Sequence, residues 1–156
     1  MTKIIDGIDG LKGLVGEHLG YSNPMTITQE MVNMFAEATG DHQWIHVDEA
    51  RAKREIGGTI AHGFLTLSLM SAMSMDVLAI AGVGRALNYG FDKIRFTGVV
   101  PAGSKVRMRT TVTKIEEKNG GRLMTRNCIV EVQGPDGKTF EKPAIIAEWL
   151  GLVFPA

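Results

Sequence analysis

The chain is poor in cysteine and has no excess of charge of either sign. Cys128 is its single cysteine, which excludes an internal disulfide framework and a cysteine-rich zinc site. Lys+Arg and Asp+Glu both number 17, so the formal net charge is zero. No basic excess exists to grip a nucleic-acid backbone or an anionic membrane. The first residues carry Lys3, Asp6, Asp9 and three glycines by Gly13 rather than the apolar core of a signal peptide. Low-complexity tracts, long linkers and internal repeats are missing too. One apolar run, Phe64 to Ala81, is long enough to span a bilayer. Thr66, Ser68, Ser71, Ser74 and Asp76 make it too polar for that, and no basic cluster flanks it. A helix apolar nearly all round is otherwise one buried inside a protein.

What is present suits a folded domain. The 156 residues are 44% hydrophobic and 22% charged. They predict one domain over 1–156, with 1–11 a loose lead-in or a short helix. A helix is predicted over Thr26 to Gly40, with Thr28 as N-cap, Glu30 in the first turn and Gly40 as C-cap. Met31, Met34, Phe35 and Ala38 form its apolar stripe. A short helix starts at Asp48 and is broken by Gly57 and Gly58. The buried helix follows over about His62 to Ala81, closed by Gly82 and Gly84.

After Gly84 the period becomes two. Leu87, Tyr89 and Phe91 share one parity, Ile94 and Phe96 the other, which predicts a bulge near Gly90 to Lys93. Val106, Met108, Thr110 and Val112 alternate with polar residues in the next strand. Asn119-Gly120 is a hairpin signal. Met124, Cys128, Val130 and Val132 share a face of the third strand, so Cys128 reads as core. Pro135-Asp136-Gly137 turns the chain into a last strand over about Thr139 to Val153, with Pro143 marking an edge or bulge. Helices followed by a four-strand antiparallel meander make an α+β fold, with the sheet wrapped around the apolar helix.

Chemistry concentrates in Ala38 to Asp48. Asp41, His42, His46 and Asp48 crowd the junction between two helices. Asp41 and His46, five residues apart across a turn, can converge as an acid–base pair that positions a water and moves its proton. Each also has a structural reading, Asp41 as a capping residue and His46 as a hydrogen-bonded core histidine. Asp48 reads as the N-cap of the next helix. His42 and His46 have a His-x3-His spacing, with Asp41 adjacent and His62 downstream, but the turn at Gly40 argues against one helix presenting both to a metal. Ala61-His62-Gly63-Phe64 opens the buried helix, where free amides suit an anion or a developing oxyanion. Gly63 either allows close approach of a carbonyl or eases helix packing. Met70, Met73 and Met75 read as core or dimer packing, or as the lining of an acyl tunnel. His18 reads as a surface residue.

Thr39 to His46, Ala61-His62-Gly63-Phe64 and the stretch from Arg95-Phe96 to Pro101-Ala102-Gly103 resemble the MaoC-like dehydratases, which include the (R)-specific enoyl-CoA hydratases. The closest branch looks like the nodulation-protein-N-like members. The resemblance runs from about residue 12 to 153. It implies a hot-dog fold, an antiparallel sheet around a long central helix, assembled as a homodimer or a higher oligomer. It implies a cytoplasmic hydro-lyase that adds water to a trans-2-enoyl thioester of CoA or acyl carrier protein, or removes it from the (R)-3-hydroxyacyl product. Asp41 and His46 would be the acid–base pair, Gly63 the oxyanion amide, and Ser71 a serine holding Asp41. Neither metal nor organic cofactor is required, because the thioester carries the activation. Trp44, His62, Lys93 and Arg95 are candidates for contacting substrate. Lys105 and Arg107 fit a solvated strand face better. Many hydratases have Asn-Pro where this chain has Gln43-Trp44, and the bulk of Trp44 bears on substrate choice. A hot-dog thioesterase and a non-catalytic acyl-thioester-binding subunit remain alternatives.

Overall fold

The computed structural model describes residues 1–156. A five-strand antiparallel path carries the fold: β2 (His18–Tyr21), β6 (Lys105–Lys118), β7 (Gly121–Gln133), β8 (Ile145–Pro155) and β5 (Val83–Phe96), in that order. A two-residue strand, β3 (Met25–Thr26), also pairs with β6. The β6–β7 hairpin turns at Asn119 and Gly120, both at positive φ (51° and 80°), as the tightest right-twisted hairpins require. In β6, Val106, Met108, Thr110 and Val112 are buried on one face. The register of β5 against β8 shifts between Asn88 and Gly90 and again between Phe91 and Lys93, where the parity slip predicts a bulge.

Four helices lie between β3 and the meander: α1 (Gln29–Thr39), α2 (Trp44–Val47), α3 (Glu49–Ile56) and α4 (Gly63–Val77). The Thr28 hydroxyl accepts from Met31 N, and Gly40 closes α1 at φ 80° with its N–H bonded to Ala36 O. The buried face of α1 is Val32 and Ala36, with Met34 exposed. That corrects the expected stripe. Val32, Phe35, Ala36 and Thr39 have the same helical spacing as Met31, Met34, Phe35 and Ala38, so spacing alone did not choose the face.

Helix α4 packs on the concave side of the sheet. Leu65, Met70 and Met73 join Val106, Met108, Val130, Ile145 and others in a cluster of 16 buried residues. It ends at Val77 rather than Ala81. Residues Leu78–Ala81 form β4, which runs parallel to β1 (Lys3–Asp6) with Lys3 opposite Leu78 and Asp6 opposite Ala81. The alternation Leu-Ala-Ile-Ala half-buries Leu78 and Ile80 and exposes the alanines. No helix is long and apolar enough to cross a membrane.

Residues 1–11 are not a loose lead-in. After β1 the chain makes a 3-10 helix over Ile8–Leu14 whose Leu11 and Leu14 are buried with Val77, Val112, Met124 and Val153. Burying one such leucine is worth up to about 3 kcal/mol, enough to order a short segment. The last strand begins at Ile145, not Thr139. Thr139 makes one bridge to Gln133, and Pro143 turns its carbonyl to the Thr97 hydroxyl at 2.6 Å. The sheet curled around a single central helix is the hot-dog architecture.

Candidate active site

The left-handed turn at Gly40 frees the chain from α1 and delivers Asp41 to the protein surface. Asp41 Oδ1 accepts from Gln43 N at 3.3 Å, an Asx turn that leads into α2. One turn of α2 carries His46 inward to 6% exposure. Its Nδ1 lies 2.7 Å from Ile60 O. A carbonyl only accepts, so Nδ1 donates, and the tautomer this selects has its lone pair on Nε2. Gln29 ties the same turn to its surroundings, donating to His46 O at 2.8 Å and accepting from the Thr59 hydroxyl.

His62 lies at the centre of this arrangement, 2% exposed. Its ring stacks on His46 with centroids 3.8 Å apart and 24° between planes, and Phe35 packs on it at 4.9 Å. His62 Nε2 donates to Asp41 O at 2.9 Å, and its Nδ1 is buried without a partner. One donor atom from each of Asp41, His46 and His62 falls within 4.8 Å of the others. The two imidazole planes are too nearly parallel, at that separation, to meet at one ion about 2 Å from both rings. The cluster therefore suits proton handling better than chelation. His42 stands outside it, exposed and 3.6 Å from Glu37, so the His-x3-His spacing does not assemble a metal site.

Gly63 follows directly as the first residue of α4, where backbone N–H groups lack intrahelical partners. A Cβ on Gly63 would stand 2.8 Å from the Phe96 ring. Glycine here serves packing and keeps the backbone open to a ligand. A cavity of about 350 Å³ is lined by His46, Gly63, Thr66, Phe96 and the segments around Val99 and Ala144. The Thr66 hydroxyl is buried there without a partner. An open groove of about 620 Å³ shares Phe96 and Thr97 with this cavity and adds Arg95 and Lys142.

The other expected residues fall elsewhere. Lys93 is exposed on β5, two residues from Arg95. Trp44 is half-buried beneath the Arg51 guanidinium, 4.1 Å from its ring, and faces α3 instead of lining the cavity. Ser71 does not meet Asp41. Eight residues along α4 carry it about 12 Å from Gly63, and it lines a second cavity. Asp48 caps α3 by accepting from Arg51 N at 3.0 Å. Arg107 pairs with Glu131 and stacks on Tyr21, as a solvated strand face would. Cys128 is fully buried, and that burial pushes its thiol pKa up. Lys142 and Gln29 went unnoticed in the sequence. Lys142 lies in the stretch read as strand, and Gln29 is an ordinary first-turn residue until its partners are seen.

The fold and site together define a hot-dog protein with a carboxylate and an imidazole beside the N-terminus of its central helix. The chain belongs to the MaoC-like dehydratase family: a family model described as MaoC like domain matches residues 11–133. It is 43% identical over 148 residues to 3-hydroxyacyl-thioester dehydratase Z of Mycobacterium tuberculosis, covering 94% of this chain and 95% of that one. It is 41% identical over 149 residues to Nodulation protein N of Rhizobium meliloti, covering 93% and 89%. Among solved structures, the (R)-hydratase from A. caviae involved in PHA biosynthesis superposes with a TM-score of 0.64 at 22% identity, covering 88% of this chain and 94% of that one. The resemblance read from Thr39 to His46 and Ala61 to Phe64 is thereby borne out.

Proposed function

We propose that the protein adds water to trans-2-enoyl-CoA to give (R)-3-hydroxyacyl-CoA, or runs the reverse dehydration. The convergence of Asp41 and His46 beside the free amide of Gly63 carries this reading. Water is a poor nucleophile, so a base must take a proton as its oxygen bonds to C3. His46 Nε2 has the free lone pair, and Asp41 supplies a carboxylate beside it. The electrons displaced from the double bond move to the thioester oxygen, where the Gly63 N–H stabilises the developing charge. The pair then returns one proton to C2, so one water is consumed and no proton is left over. The thioester itself provides the activation, with no metal or organic cofactor taking part. Arg95 and Lys142 beside the cavity suit the phosphates of CoA. A CoA thioester substrate places the reaction in the cytoplasm.

The same reading includes a homodimer. Strand β5 pairs only with β8, which leaves one edge of 14 residues open, and Leu87, Tyr89 and Phe96 on it are exposed. Phe64 and Met75 expose apolar surface on α4, at 65% and 74%. A second copy pairing along β5 would cover a long apolar edge that a lone chain leaves bare.

Incubation with crotonyl-CoA tests the activity. Loss of enoyl-thioester absorbance without thiol release, abolished in Asp41→Asn, is the expected result. Release of thiol would make the protein a thioesterase. No change with crotonyl, longer or branched enoyl thioesters would make it a binding subunit.

A further inference from the structure

A second cavity, of about 490 Å³, lies beyond the far half of α4. Its walls are apolar, including Met124 and Trp149 together with Met75 and Leu87 of the face a second copy along β5 would close over, and one charged side chain enters it, Arg126. Arg126 occupies an inward position of β7, between Met124 and Cys128, and is 5% exposed. Its guanidinium lies over the Trp149 ring at 3.8 Å, and its Nη1 donates to Ser74 Oγ at 2.9 Å. No carboxylate pairs with it. Its Nε is buried without a partner, as is Trp149 Nε1, and its Nη2 makes no hydrogen bond. Gly151 makes room for it: a Cβ there would stand 3.2 Å from Nη2. Burial pulls its pKa below the ordinary value, and the opposing influence comes from Cys128, not from a carboxylate.

A buried guanidinium stays protonated, and an uncompensated one is costly. Its side edge is the fork that carboxylates bind in bidentate fashion, and here neither Nε, which is buried, nor Nη2 has a hydrogen-bond partner. We propose that this cavity is a binding site for the carboxylate end of an apolar-chain ligand, with Arg126 as the anion-binding residue. Ser71 and Ser74 add hydroxyl groups beside it, and the apolar wall takes the chain. Two sources carry that chemistry. One is a free medium-chain carboxylic acid. The other is an enoyl thioester whose acyl chain ends in a carboxylate, reaching along α4 from Gly63; this source rests on the function proposed above.

Calorimetric titration with decanoate and with methyl decanoate tests the site without any turnover. The wild type should bind decanoate at least about tenfold more tightly than the ester, and Arg126→Met should erase the difference. Arg126→Lys keeps the charge and loses the fork, so it should retain only part of it; it also serves if the methionine variant fails to fold. Where the acyl chain is the source, the wild type should prefer the CoA thioester of 2-decenedioic acid over that of 2-decenoic acid, by the ratio of kcat/KM. Arg126→Met should collapse that ratio. A carboxylate preference in either arm, lost with Arg126, supports the site. Equal behaviour of the wild type and the folded variants toward acid and ester, with an unchanged thioester ratio, overturns it. Absence of turnover would sink the hydratase reading alone, since the decanoate titration does not depend on it.

Discussion

The two ends of α4 handle buried polarity in opposite ways. At its N-terminus, His46 and His62 are both deeply buried, yet each has an anchored ring nitrogen, to Ile60 O and to Asp41 O. Backbone carbonyls fix the orientation of both rings and leave one nitrogen of each uncommitted. At the other end, Arg126 sits among apolar side chains with one hydrogen bond and no counter-charge. The first end is satisfied enough to hold a geometry, with one ring nitrogen of each histidine left over. The second is an unmatched charge that a ligand could match. Both use residues from outside the helix: the loop ahead of it at one end, the sheet at the other.

The largest expected effect lies at the first end. Asp41→Asn and His46→Ala should each lower turnover by about 10²- to 10⁴-fold with an unchanged circular dichroism spectrum. Near-normal rates in both would remove the chemistry from that end altogether. Leu11→Ala loosens the second end, where Leu11 packs in one cluster with Val77. Denaturant titration should register a loss of about 2–5 kcal/mol, while crotonyl-CoA turnover at a temperature where the variant is folded stays close to wild type. Parallel losses of stability and rate would mean the two ends are coupled. Arg126→Met should raise stability in the ligand-free protein by about 1–4 kcal/mol, because it replaces an unpaired buried charge with an apolar chain of similar length. A strong loss of stability would show the arginine to be structurally compensated. The smallest effect belongs to His62→Phe, which keeps the stack on His46 and removes the bond to Asp41 O. One net hydrogen bond is worth about 1 kcal/mol, so turnover should fall about fivefold to tenfold in kcat with KM little changed. A wild-type rate would make His62 a packing residue only.

Features written in neighbouring residues were legible in the sequence. Thr28 and Gly40 cap α1 as their types suggest, Asn119-Gly120 turns the hairpin, and the parity slip near Gly90 is a bulge. Asp41 and His46 were legible because one short loop joins them, and Gly63 because it opens the apolar helix α4. What escaped depends on partners far along the chain. Leu78–Ala81 leaves the helix because Lys3–Asp6 offers a strand to pair with, and nothing local announces that. Arg126 shares parity with Met124 and Cys128, so its inward direction could be read. Its meaning could not, since the missing counter-charge is a property of β8 and α4 packed around it. Ser71 was misplaced for a related reason: helical phase says which side a residue faces but not how far along the helix the chemistry extends.

The segment anchored by Leu11 and Leu14 has a consequence for biosynthesis. Its packing partners Val77, Val112, Met124 and Val153 emerge from the ribosome long after it does. Until those residues are made, Leu11 and Leu14 are without their native contacts, and the pairing of β1 with β4 closes a loop of more than seventy residues. The segment is therefore among the last to pack, and a nascent chain stalled before Val153 presents its uncovered leucines to chaperones.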